Sequence, residues 1–397
     1  MSQDHVVIVS AARTPMGSFQ GAFSDLSAAN LGAHAIKAVV QRSGVDQALI
    51  EEVLMGCVLQ AGQGQAPARQ AALQAHLGQS VSCTTINKVC GSAMKSIMIG
   101  HDSILAGSYD CAVVGGMESM TKAPYLLPKA RGGYRLGHGQ LIDHMFMDGL
   151  EDAYSPENKG KLMGTFAEQC AQSYTFSRQE QDAYAVLSTT RAQEASNRGD
   201  FSWEISPLTL QTRRGEITVD KDEGPFSVNI EKIPSLKPAF KKDGTVTAAN
   251  SSSISDGAAA LLLMRASKAH QLGLKPLAKI TGHINHSGAP ELFPTAPIGA
   301  VQKLMTKIGW QTENVDLFEI NEAFAVVAMA AIRDLRLDPG KVNIHGGACA
   351  LGHPIGASGA RIVVTLLGAL KKLGLSRGVA TLCIGGGEAT ALAVEML

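Results

Sequence analysis

Cys90 stands in Asn87-Lys88-Val89-Cys90-Gly91-Ser92-Ala93-Met94-Lys95, where a loop enters an apolar helical pattern. Free N–H groups and the positive end of the helix dipole favour a thiolate there, so a lowered pKa is expected. Small neighbours leave backbone N–H groups open to a developing oxyanion. A buried structural cysteine is the commoner fate of any single Cys. A second segment offers a base. In Asn343-Ile344-His345-Gly346-Gly347-Ala348-Cys349-Ala350-Leu351-Gly352-His353-Pro354-Ile355-Gly356-Ala357-Ser358-Gly359, His353 lies between Gly and Pro, in a tight loop rather than a helix interior. A nucleophilic thiol needs such a base; the plainer reading is a loop histidine bonded to its own backbone.

Three further segments carry polar groups. Cys383, in Thr381-Leu382-Cys383-Ile384-Gly385-Gly386-Gly387-Glu388, ends an apolar strand against a glycine turn, and taken alone it reads as packing. Glu319-Ile320-Asn321-Glu322-Ala323-Phe324 clusters polar side chains just past another apolar strand. Asn321 either caps the next helix or orients a catalytic water or histidine. Thr247-Ala248-Ala249-Asn250-Ser251-Ser252-Ser253-Ile254-Ser255-Asp256-Gly257 lines a narrow channel or serves as a linker.

The elements that must position these groups alternate strand and helix. Val6 to Val9 reads as a buried strand and Ser27 caps a helix with Leu31, Ile36, Val39 and Val40 on one face, ended by Gly44. Val53 to Leu59 is a second strand. A helix follows Cys90 and stops at Gly107, and Cys111 to Val114 forms a strand ending in Gly115-Gly116. The last part repeats this order. Ala300 to Ile308 is helical, Val315 to Ile320 and Val342 to Ile344 are strands, and Ser358 caps a helix that ends before Gly374. Val379 to Ile384 is a strand running into Gly385-Gly386-Gly387. The rhythm implies a loose duplication of one α/β unit. Between the units, Ser119 to Ser253 is richer in charge, Pro and Gly, includes Lys129-Ala130-Arg131-Gly132-Gly133 and Arg213-Arg214-Gly215, and holds a helix from about Ser177 to Asn197. A structureless loop of that length is improbable, so a subdomain over the active face is expected.

With 397 residues, two or three domains are expected. Lys+Arg and Asp+Glu both number 35, so no global basic field points to nucleic acid. The seven cysteines include no CxxC pair, which argues against a disulfide framework or a zinc site and favours a reducing, cytoplasmic compartment. No apolar run is long enough to span a bilayer, the early Val6–Val9 strand leaves no room for a signal peptide, and the Glu395-Met396-Leu397 end carries no peroxisomal tail.

Taken together and in order, the Cys-Gly-Ser, Asn-Glu-Ala-Phe, Gly-Gly-Ala-x-Ala-Leu-Gly-His-Pro-x-Gly-Ala-Ser-Gly and Cys-Ile-Gly-Gly-Gly blocks resemble the thiolases, over the whole chain. The resemblance implies an α/β fold: a five-layered αβαβα sandwich of two similar halves with an inserted loop domain. The halves would span residues 1–119 with 254–274, and 275–397; residues 120–253 would form the loop domain, for coenzyme A binding and tetramerisation. It also implies roles. Cys90 carries the acyl group as a thioester. His353 activates it and, with a water held by Asn321, stabilises one thioester oxyanion. Cys383 moves the proton of the second acyl-CoA's α-carbon, and the N–H groups of Cys90 and Gly385 form a second oxyanion hole. Leu150, Met163, Phe240, Ala248 and Ser252 would line the pantetheine channel, with Ala323 and Phe324 near the reacting end. Coenzyme A thioesters are then substrates, with no permanently bound cofactor, no metal, no nucleic acid and no membrane partner. Residues Ala123 to Asp148 resemble the tetramerisation loop of the tetrameric members, so a homotetramer is expected.

Some positions differ from the short-chain biosynthetic members. Leu162 precedes Met163-Gly164 where His is frequent, Ala93 follows Cys-Gly-Ser where Gly is usual, and Ala249, Ser251 and Ser253 replace the more common Gly, Ala and Gly. Glu388 stands where Met or Gln is frequent. Phe293-Pro294 is similar to members that accept a 2-methyl branch, which implies such tolerance here. The leading expectation is an acetyl-CoA C-acetyltransferase. The alternatives are a degradative 3-ketoacyl-CoA thiolase of broader chain length in fatty-acid β-oxidation, an acyl-CoA carrier without turnover, and a cysteine hydrolase, which would need no second cysteine.

Overall fold

The computed structural model describes residues 4–213 and 215–397. Arg214, in the middle of the Arg213-Arg214-Gly215 segment, lies outside the described residues.

One group of strands runs in the order Ser82–Ile86, Glu52–Gly56, Cys111–Ser119, Ser255–Arg265, Val6–Arg13. Glu52–Gly56 is parallel to both its neighbours, whereas Ser255–Arg265 is antiparallel to Cys111–Ser119 and to Val6–Arg13. A second group runs Ala278–Ser287, Glu388–Met396, Arg377–Ile384, Leu317–Ile320, antiparallel except for its last pair. The two groups join where Val7 and Ile8 pair with Lys279 and Ala278.

Side-chain alternation along these strands builds the layers. Leu262, Val113 and Met55 face Leu31, Ile36 and Val39 of the Ala28–Ser43 helix and Ala71 of the Pro67–Gln74 helix, forming one outer core. Their neighbours Leu261, Leu263 and Val114 face the opposite way, onto Met94 and Ile97 of the Ser92–Ala106 helix and Val363, Leu366 and Leu370 of the Ser358–Leu373 helix. Ala380, Leu382, Leu392 and Val394 of the second group cover those two helices from the other side. Val379, Ala391 and Ala393 then turn outward, onto the Ala296–Ile308 and Ala325–Asp334 helices. The order is helix, sheet, helix, sheet, helix: the expected five-layered αβαβα sandwich.

The two central helices are the matching parts of the repeated rhythm. Residues 358–370 are buried without interruption, so Leu366, Leu367 and Leu370 each contribute roughly 2 kcal/mol by leaving water. Each central helix ends at a glycine in the left-handed region, Gly107 at φ 80° and Gly374 at φ 64°. Ser27 caps its helix through a reciprocal bond with Asn30, and Ser177 does the same with Glu180 ahead of Arg178–Asn197, each worth about 1 kcal/mol.

Four expectations need correction. The Cys111 strand does not end at Gly115-Gly116 but runs on to Ser119. The glycines serve close approach: a Cβ on Gly116 would lie 2.1 Å from the Gly356 carbonyl oxygen, and one on Gly115 would lie 2.1 Å from that of Ala259. The second strand stops at Gly56, not Leu59, because the N–H groups of Val58 and Leu59 turn to the Glu118 carboxylate. Val342 to Ile344 is no strand; only Val342 bridges, to Phe318, and the Asn343 side chain replaces the ladder by bonding the Ile320 N–H and carbonyl. Ser358 is not a cap. Ala357 holds that position, and the Ser358 hydroxyl turns to the Pro354 carbonyl.

Candidate active site

Cys90 precedes the Ser92–Ala106 helix, and the turn that presents it is strained. Val89, a β-branched residue, sits at φ 46°, at a cost of order 1–3 kcal/mol. The Asn87 side chain accepts the Val89 N–H at 3.0 Å, and the Ser92 hydroxyl accepts from the Lys88 N–H at 2.8 Å and donates to the Val89 carbonyl at 2.6 Å. These bonds hold the thiol at the floor of a cavity of about 370 Å³. Leu150, Met163, Phe240, Ala248 and Ser252 line that cavity, together with Ala323 and Phe324. Cys90, His353 and Gly385 share its wall. Leu162, Phe293 and Ile355 also border it.

The Cys90 pKa is not lowered. Burial pushes it up to about 11 against the pull of the Gly385 and Cys90 N–H groups, both of which bond the sulfur. The helix terminus was legible in the sequence; the depth of the site was not. Cys90 is therefore a thiol at neutral pH, and to act as a nucleophile it would need a base.

His353 is fit to be one. Its ring is buried, and burial together with the nearby Arg361 guanidinium drops its pKa to about 3. It is neutral throughout the physiological range and can accept a proton. Asn321 Nδ2 lies 3.5 Å from its Nε2, and the Asn321 carbonyl oxygen lies 3.5 Å from an Arg361 nitrogen. Asn321 is not a helix cap; Phe324 occupies that position ahead of Ala325–Asp334.

Cys383 is fully buried near the end of Arg377–Ile384, in the apolar cluster that also holds Phe166, Phe293 and Phe324. Burial and the neighbouring Cys90 raise its pKa well above the ordinary thiol value. The strand thus places a second sulfur close enough to Cys90 for their charges to interact.

Several supporting residues were given no role by the sequence, although Glu322 stands in the Asn-Glu-Ala-Phe block. Glu118 is wholly buried and accepts N–H bonds from Val58, Leu59 and Gly356, tying the loop after His353 to the strand beside Cys90. Glu322 accepts from Tyr184, Ser188, Asn343 and the Cys349 N–H, anchoring the Asn321 loop to the Arg178–Asn197 helix. Tyr154 hydroxyl donates to the Gly385 carbonyl at 3.3 Å. Arg13 is clamped by Glu204 and Asp222 beneath the same central helices. Glu118 and Glu322 bond groups far away in sequence, so spacing alone cannot pair them with their partners.

A five-layered sandwich with a thiol and a neutral imidazole on the wall of one apolar channel, and a second thiol buried beside the first, suits acyl transfer by thioester exchange. The chain belongs to the thiolase family of acyltransferases: residues 6–267 match the thiolase N-terminal domain and residues 274–396 the thiolase C-terminal domain. It is 51% identical over 395 residues to acetyl-CoA acetyltransferase 1 of Arabidopsis thaliana, covering 99% of this chain and 94% of that one. It is 47% identical to a probable acetyl-CoA acyltransferase of Staphylococcus aureus strain COL, over 98% of both. Among solved structures it is similar to the Acat5 thiolase of Ascaris suum in complex with coenzyme A, with a TM-score of 0.93, 44% identity and coverage of 99% and 100% of the two chains. The Bacillus anthracis acetyl-CoA acetyltransferase gives a TM-score of 0.96 at 41% identity, covering 100% of this chain and 99% of that one.

Proposed function

We propose that this thiolase is an acetyl-CoA C-acetyltransferase, which joins two acetyl-CoA into acetoacetyl-CoA and coenzyme A and runs the reverse thiolysis. One observation carries the reading: Cys90, His353 and Gly385 border the same narrow apolar cavity as the seven channel residues.

The Cys90 sulfur attacks the first thioester carbonyl as its proton passes to His353 Nε2. The departing coenzyme A thiolate takes the Cys383 proton, leaving an acetyl thioester on Cys90. The Cys383 thiolate then removes the α-proton of a second acetyl-CoA. The enolate oxygen is held by the His353 Nε2–H and a water on Asn321. Its carbon attacks the acetylated Cys90, and the N–H groups of Cys90 and Gly385 hold the tetrahedral oxyanion. Collapse expels the Cys90 thiolate, which recovers its proton from His353. A buried imidazolium is costly beside Arg361, so it persists only while an anion faces it.

Residues 1–119 with 254–274, and 275–397, are read as the two halves, with 120–253 as the loop domain that holds coenzyme A thioesters. A homotetramer is supported by apolar side chains exposed between Ala123 and Asp148: Tyr125 is 65% exposed, Leu141 67% and Leu136 100%. A cytoplasmic setting in acyl-CoA metabolism fits a chain in which, among the described residues, no helix is long and apolar enough to cross a membrane. Phe293 at the cavity wall supports tolerance of a 2-methyl branch.

The test is coenzyme A-dependent cleavage of 3-ketoacyl-CoA thioesters from C4 upward, including 2-methylacetoacetyl-CoA, by wild type and Cys90→Ala. Fastest cleavage at C4, abolished in the variant, is expected. Faster cleavage of longer chains would assign a degradative thiolase, and binding without cleavage would overturn the enzymatic reading.

A further inference from the structure

Three side chains brought together far from the catalytic cavity have the chemistry of a metal site. His101 and Asp102 lie late in the Ser92–Ala106 helix, and His283 lies on the Ala278–Ser287 strand, 182 positions from His101. The atoms that face one another are His101 Nδ1, Asp102 Oδ1 and His283 Nε2. Their separations are 3.0 Å from His101 to Asp102, 2.9 Å from His283 to Asp102 and 3.1 Å between the two imidazoles. The rings stand at 88° with centroids 4.9 Å apart, so both nitrogens converge on one point without stacking. No residue of this cluster lines the catalytic cavity; His101 is eleven residues beyond Cys90, about 16 Å along a helix.

We propose that His101, Asp102 and His283 bind one borderline divalent transition-metal cation, Zn2+ in the first instance. Two imidazoles and one carboxylate are ligands such ions take, with a fourth position left to water. Bonds of about 2.0–2.1 Å place an ion roughly 1 Å out of the plane of the three atoms. Tetrahedral geometry with those bonds separates ligand atoms by about 3.3 Å, so the triangle opens by only a few tenths of an ångström. The Asp102 side chain is 62% exposed while those of His101 and His283 are 12% and 8% exposed, which leaves one open, carboxylate-lined entry over a buried floor. Lys307 is the one cation found bonded to His283 among the described residues; its ammonium is held by the His283 backbone carbonyl at 3.0 Å rather than by the ring. The missing CxxC pair was read against any zinc site, but it bears only on thiolate ligands, and ligands so far apart in sequence show no spacing to read.

The ion would pin the helix that presents Cys90 to a strand of the other sheet group, so the readouts are occupancy and stability rather than turnover. The full-length chain is made with Cys90→Ala, so that the reactive thiol does not compete, and titrated with Co2+. One Co2+ per chain is expected, with visible ligand-field absorption, no sulfur-to-cobalt charge transfer, and displacement by one Zn2+. Asp102→Asn, at the helix surface, and His101→Gln, partly buried, should each weaken binding at least about tenfold. Zn2+ should raise the melting temperature of the parent and not of these variants. A sulfur charge-transfer band, no Co2+ uptake, or unchanged binding in both variants overturns the proposal. Melting temperatures measured without metal show that the variants are folded.

Discussion

His353 Nδ1 lies 2.5 Å from the Ser358 hydroxyl oxygen, and that hydroxyl lies 3.0 Å from the Pro354 carbonyl. A carbonyl only accepts, so the Ser358 proton goes there, and the Ser358 oxygen accepts from Nδ1–H. The neutral ring is thereby held with its lone pair on Nε2, the nitrogen nearest Asn321. Ser358→Ala should free the tautomer and lower kcat at least about tenfold with little change in KM, because it disturbs proton transfer and not binding. Steady-state kinetics with acetoacetyl-CoA check this; an unchanged kcat would mean that the ring orients itself.

Cys90 alkylation reports the protonation state of the free enzyme. With the thiol pKa at about 11 and the His353 pKa at about 3, neither group changes charge between pH 6 and 9. The thiolate fraction then rises about tenfold per pH unit over that range. The rate of inactivation by iodoacetamide should climb with unit slope and no plateau. A plateau near neutral pH would reveal a thiolate–imidazolium pair instead.

Cys383 separates two half-reactions. Removing it leaves Cys90 and His353 in place but takes away both the acid for the departing coenzyme A and the base for the α-proton; a thiolate can leave unprotonated, whereas the α-carbon cannot give up its proton without a base. Cys383→Ala should still form the acyl thioester on Cys90, visible by intact mass, while losing about 10²- to 10⁴-fold in condensation and thiolysis. A variant that keeps carbon–carbon bond chemistry would remove Cys383 from the proposed mechanism.

Glu322 is an acceptor for four donors at once: Tyr184, Ser188, Asn343 and the Cys349 N–H. A glutamine there turns an NH2 group toward donors, and each buried bond lost costs about 1–3 kcal/mol. Glu322→Gln should lower the melting temperature and also kcat, since the neighbouring Asn321 faces His353. A melting curve and a kcat measurement on one preparation test both effects; loss of stability with full kcat would detach this anchor from the site.

What the sequence showed and hid follows from the range of the forces involved. Ser27, Gly44, Gly107 and Gly374 act on their own helix ends, so composition and spacing located them. Ser255–Arg265 is buried from Ser255 to Met264, and an Ala- and Leu-rich run with no polar face carries no period-two signal. The family blocks singled out Cys90, His353 and Cys383, of which the first two share a cavity and the third is buried close to Cys90. The Cys90 pKa was misjudged because the helix dipole is local while burial is a property of the whole fold. Ser358 looked like a cap because Ser before an apolar helix usually is one; the Pro354 carbonyl and the His353 ring, brought together by the turn, claim its hydroxyl instead.

Acid stability supplies a test of the buried floor under the Gly346–Gly347 loop. His345 is 4% exposed, packs edge-on against Phe201, and lies 3.5 Å from Asp200 Oδ2. Asp200 is already held by Arg198 and Lys372, so it does little for an imidazolium. Burial, with Arg198 adding, drops the His345 pKa to about 4. Below the ordinary value near 6.5 the unfolded chain takes up this proton and the folded chain does not, so stability is lost as pH falls from about 6.5 toward 4. One pKa unit is about 1.4 kcal/mol, so His345 alone should remove roughly 2 kcal/mol between pH 7 and pH 5. Urea midpoints at those two pH values should fall less in His345→Gln than in wild type. Equal falls would mean that the ring is protonated in the folded chain and that Asp200 outweighs its burial.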